Sequence, residues 1–119
     1  MFYDENSMKD MIKVSSEKKD YTPYLVIGEF FGKENTDNAS LISYLEQWSD
    51  IVKATLGAMD AGHILNRGNI MVIVHDNNKQ KFEDLINKTF VTSIEQTSGI
   101  RSSLLPLQKD DITILSSLF

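Results

Sequence analysis

The order of hydrophobic patterns along the chain predicts an α+β fold, a ferredoxin-like βαββαβ sandwich in which an antiparallel sheet carries two helices on one face. Three observations predict it. Between Tyr21 and Leu107, short β-branched and aromatic runs alternate with stretches of helical periodicity in the order strand, helix, strand, strand, helix, strand. The two middle strand runs are separated only by Asn66, Arg67 and Gly68, a tight hairpin turn. Finally, 119 residues suffice for one two-layer core and leave no room for a second domain.

The elements follow in order. Residues 1–20 form a leader that ends in the polar stretch SSEKKD, and the single domain runs over 21–119. In the leader, Ser7 can cap a short helix whose apolar side is Met8, Met11 and Ile12, which is ordered only if it docks on the body or on a neighbouring subunit. Tyr24-Leu25-Val26-Ile27, followed by Glu29, Phe30 and Phe31, reads as a buried strand with Pro23 just inside its start. After a loop, Asp37 or Asn38 caps a helix on which Leu41, Leu45, Trp48, Val52 and Leu56 recur at spacings of three and four, with Ile42, Ile51 and Met59 widening the stripe. That stripe predicts that aspartate at Leu45 is strongly destabilising and aspartate at Gln47, on the opposite side, nearly silent. The helix stops between Gly57 and Gly62.

His63-Ile64-Leu65 and Asn69 to Val74 form the hairpin, and His75 to Asn78 cap a second helix with Phe82, Leu85 and Ile86 on its buried side. A four-residue spacing through Phe90 and Ile94 extends that helix to about Gln96. Ile100 to Leu107 is the last strand, and Ile112 to Leu115 is either an extra strand or a helical turn. A sheet built this way has one bare face and open edges, which predicts a homo-oligomer, dimer or higher, by sheet or edge pairing.

Composition excludes several chemistries. Without cysteine there is no disulfide, thiolate nucleophile, iron–sulfur cluster or cysteine-ligated zinc. The first residues lack the basic and apolar regions of a signal peptide, and no apolar run approaches a membrane span, so a cytoplasmic protein without membrane attachment is expected. A net charge of -5 removes the long-range attraction to phosphate, which argues against a nucleic-acid partner.

The stretch SDIVKATLGAMDAGHILNRGNIMVIVHDN, with the following helix and TSGIRSSLLPL, resembles the ligand-sensing domains of the ACT and RAM type. It is similar in particular to the C-terminal domain of nickel-responsive repressors. The resemblance covers roughly Tyr24 to Leu107 and is carried by hydrophobic pattern, with Ser98 standing where those families usually show proline before the glycine. It implies a regulatory, ligand-sensing role. The same topology also resembles the small dimeric α/β-barrel enzymes of the antibiotic-biosynthesis monooxygenase and muconolactone isomerase kinds, which implies a pocket between sheet and helices. No active residue of those families is matched here.

The candidate ligand-binding residues are His63, His75, Asp76 and Arg101. Asp60 lies three residues before His63 and could orient its imidazole, and His75-Asp76 is a second such pair at the exit of a strand. Each has a plain structural reading, since Asp60 and Gly62 are helix-stop residues and Asp76 is a helix cap. Arg101 beside Ser102 and Ser103 could meet an anion at a subunit boundary, or stand solvated on an edge strand. Trp48 belongs to the buried stripe. Two histidines are too few for a well-ligated metal site, so neither a metal nor another cofactor is assigned, and no catalytic residue is named. The expected function is an oligomeric, non-enzymatic binding or regulatory module with a small-molecule ligand or a protein partner. The alternatives are a small α/β-barrel enzyme using a histidine, and an accessory protein whose contact is made by the leader or by the tail ending in Leu118 and Phe119.

Overall fold

In a computed structural model, which describes residues 1–32, 37–88, 90–93 and 95–117, the strand runs assemble into one five-stranded antiparallel sheet with four helices. The elements are α1 (Glu5–Ser16), β1 (Tyr21–Phe31), α2 (Asn38–Thr55), β2 (Ala61–Asn66), β3 (Asn69–His75), α3 (Asp76–Lys88), β4 (Phe90–Thr92), β5 (Gly99–Pro106) and α4 (Lys109–Ser116). Strands lie in the order β2-β3-β1-β5-β4, and every neighbouring pair is antiparallel. None of the helices is long and apolar enough to cross a membrane among the described residues. The tail residues Leu118 and Phe119, and Ile94, lie outside the described residues.

The period of two along the strands decides what each face buries. On one face Tyr24 and Val26 of β1, Ile70, Val72 and Val74 of β3 and Ile100 of β5 pack against Trp48 and Val52 of α2 and Phe82 and Ile86 of α3. The indole of Trp48 lies over Gly28, where an added Cβ would stand 3.0 Å from ring atoms Cδ2 and Cε2, and its Nε1–H donates to Ser102 Oγ at 2.8 Å. Gly28 is therefore needed for close approach of helix to strand. Its own N–H donates to the Gly68 carbonyl in the hairpin turn, and Gly68 holds the positive φ of 90° that the turn requires.

The α2 stripe is narrower than its periodicity predicts. Leu41 and Leu45 are half-buried at its margin, whereas Ile51 and Met59 are exposed, and Leu85 of α3 is exposed as well. The margin starts at Asp37, whose carboxylate accepts the Ser40 N–H, and Asp4 does the same for Ser7 at the start of α1, so the leader helix is capped by Asp4 and begins before Ser7. These backbone hydrogen bonds hold both carboxyls below the usual aspartate range.

The second face departs most from expectation. It is not bare: Met8 of α1, with Met11 and Ile12 beside it, and Ile112 of α4 pack on Ala61, Met71, Ile73 and Leu107. β3 is consequently covered on both sides, with Ile70 to Val74 all buried. The outer edge of β2 is also partly occupied, because Tyr3 N–H donates to the Gly62 carbonyl and Gly62 N–H donates to the Met1 carbonyl.

Two further differences concern the C-terminal third. α3 ends at Lys88, and the residues expected to prolong it form β4 instead, pairing Val91 with Ile100. Val91 and Thr92 are β-branched and favour the sheet, and Val91 fills the core as a strand residue. Residues around Ile112 form α4, the helical of the two alternatives.

Candidate functional site

The chemistry-bearing residues predicted from sequence spread over the sheet rather than converging. At the C-terminal end of β3, Asp60 sits in the loop after α2 with 1% of its surface exposed. Its Oδ2 accepts from Gly57 N–H at 2.6 Å and from Asn78 Nδ2 at 2.7 Å, and its Oδ1 accepts from His75 N–H at 2.7 Å. Three hydrogen bonds of this kind stabilise a buried carboxylate and tie the end of α2, the end of β3 and the start of α3 into one corner. Asp60 thus holds backbone, and it does not orient the His63 ring.

His75 closes the same corner from outside. Its Nδ1 accepts the Asn77 N–H at 3.1 Å, which leaves the ring proton on Nε2, where it faces Asp20 Oδ2 at 3.1 Å. Tyr21 meets the imidazole edge-on, with ring centroids 5.0 Å apart. The carboxylate partner of His75 is therefore Asp20, not the adjacent Asp76, which stands exposed in the first turn of α3 while its N–H donates to the Asp20 carbonyl.

His63 lies on β2, half-buried, with Nδ1 3.0 Å from the Tyr3 carbonyl oxygen. A carbonyl only accepts, so Nδ1 carries the proton there. The β2–β3 register sets His63 opposite Met71, four residues before His75 on the same face, which separates the two histidines by about 13 Å along the strand. Within one chain they cannot share a metal ion. No group of three or more histidine, aspartate or glutamate side chains suited to a metal occurs among the described residues. Arg101, on β5 opposite Glu29, is exposed and lies over the Phe31 ring at 4.5 Å, a cation–π contact that fixes it on the sheet surface.

Tyr24 is the one buried phenol of the main core, and its hydroxyl donates to Glu83. Burial, reinforced by the Glu83 carboxylate, pushes its ionisation above the ordinary tyrosine range, so it stays protonated and acts as a packing residue with a polar anchor.

Two grooves among the described residues lie away from the histidines and from Arg101. One groove, about 270 Å³ in volume, runs between α2 and the β2–β3 hairpin and is lined by Ile42, Leu45, Glu46, Ser49, Asp50, Ile64 and Arg67. Another, about 340 Å³, lies between β5 and α4 and is lined by Leu25, Leu105, Pro106, Leu107, Asp111 and Ile114. Neither is lined by a histidine or by Arg101. Spacing in the sequence pointed to neither groove, although the consecutive Ile64 and Leu65 on an edge strand carried a signal: both faces of β2 are apolar there. No protein-family model matches the sequence, and no curated protein is significantly similar to it.

Proposed function

We propose that the chain is an oligomeric, non-enzymatic binding or regulatory module of the cytoplasm, built on a ferredoxin-like core. The strand order β2-β3-β1-β5, with α2 and α3 on one face, supports the ferredoxin-like reading, in which α1, β4 and α4 are additions. A ligand-sensing role of the ACT or RAM kind belongs to the proposal and rests on the hydrophobic pattern. The observation that carries the non-enzymatic reading is the use made of the two histidines. Each has a ring nitrogen committed to a backbone group, Asn77 N–H for His75 and the Tyr3 carbonyl for His63, and neither lines the apolar grooves where a substrate would be enclosed.

This commitment has a direct spectroscopic consequence. In long-range proton–nitrogen correlation spectra recorded at mildly alkaline pH, His75 is expected as the Nε2–H tautomer and His63 as the Nδ1–H tautomer, each in a single form. A histidine showing the averaged pattern of free imidazole, or the opposite tautomer, would return that residue to the list of acid–base candidates and contradict the reading.

A further inference from the structure

We infer that the groove between α2 and the β2–β3 turn is the surface through which two copies of this chain associate about a two-fold axis, with Arg67 of each copy meeting Glu46 and Asp50 of the other. The inference rests on the reading of the chain as an assembling module and names its interface.

The floor of the groove is apolar, formed by Ile42 and Leu45 of α2 and by Ile64 of β2, a strand residue left 44% exposed. Its walls are charged with opposite sign. Glu46 and Asp50 stand one turn apart on α2, a like-charge pair that a helix tolerates at some cost, and Arg67 rises from the hairpin turn on the other side. None of the three makes an ion pair or a side-chain hydrogen bond among the described residues. A surface that meets its own copy across a two-fold must carry each contact twice, once as donor and once as acceptor, and a groove with one acidic and one basic wall around an apolar floor has that property. A two-fold axis that runs along the groove, in the plane between the copies, sets the acidic wall of one copy on the basic wall of the other. The groove beside α4 does not select a partner in this way. Its one charged group is Asp111, and that carboxylate already accepts the Gln108 N–H.

The test is a charge exchange read by analytical ultracentrifugation of the full chain. Arg67→Glu places like charges across the interface of its own homodimer, and so does the pair Glu46→Lys with Asp50→Lys. Each variant is expected to dimerise at least about tenfold more weakly than the unmodified chain. An equimolar mixture of the two variants restores both opposite-charge contacts, and is expected to form a heterodimer of near-original affinity. Circular dichroism checks that both variants keep their helices. An unmodified dimer that Arg67→Glu leaves intact would overturn this interface while leaving assembly through another surface standing. Two weakened variants that stay apart on mixing would also overturn it, and an unmodified chain that is monomeric would overturn the assembly reading itself.

Discussion

Trp48→Ala is expected to remove about 3 to 5 kcal/mol of unfolding free energy, a large share of the stability of a domain this size. The indole is fully buried and joins α2 to two strands at once: it covers Gly28 of β1, and on β5 it meets Ile100 across that glycine and donates to Ser102. Truncation would leave a cavity bounded by a sheet that cannot collapse into it, and would strand the Ser102 hydroxyl. Chemical denaturation gives the cost. A loss no larger than that of an exposed α2 position such as Gln47 would mean that the helix does not rest on this face of the sheet.

Asp60→Ala is expected to cost about 3 kcal/mol or more. Three donors lose their acceptor, and each buried donor left without one costs roughly 1 to 3 kcal/mol. Asp60→Asn tests the same point with little change of volume, because the amide retains one acceptor oxygen but turns a nitrogen toward donors. It too is expected to destabilise, though less than alanine. Asp76→Ala serves as the control, since that side chain is exposed, and is expected to stay within about 0.5 kcal/mol of the parent. Equal effects at 60 and 76 would remove the buried carboxylate from the corner.

How much of this could be read from the chain depended on whether the signal was local. α2 was legible because its cap at Asp37 and its apolar spacing are both short-range, and Trp48 and Val52 fall where the period places them. Its margins were not, because whether Leu45, Ile51 or Met59 meets another element depends on how far the sheet extends beneath the helix. The aspartate contrast between Leu45 and Gln47 is accordingly milder than periodicity suggests, Leu45 being half-buried at the lip of a groove. The covered second face had a local signal in the unbroken run Ile70 to Val74, since a strand exposed on one side alternates and this one does not. The four-residue period that persists through Phe90 and Ile94 points to a longer α3 than the one that forms, because the β-branched Val91 and Thr92 decide for a strand.

The candidate site was the least legible part. Pairing histidines with nearby aspartates assumes helical geometry, but Ala61–Asn66 is a strand, so Asp60 and His63 do not share a face as a helix would arrange them. The partners that the rings do find, Asp20 and the Tyr3 carbonyl, lie 55 and 60 residues away in the chain. Only the topology, which lays the start of β1 beside the end of β3 and the first residues beside β2, brings them together.

Assembly of the chain is the property on which the proposed function and its interface both depend. Sedimentation equilibrium of the full chain over the micromolar range is expected to give a mass near twice the 13.5 kDa of one chain, shifting toward one chain only on dilution. A mass of 13.5 kDa at every concentration would contradict it.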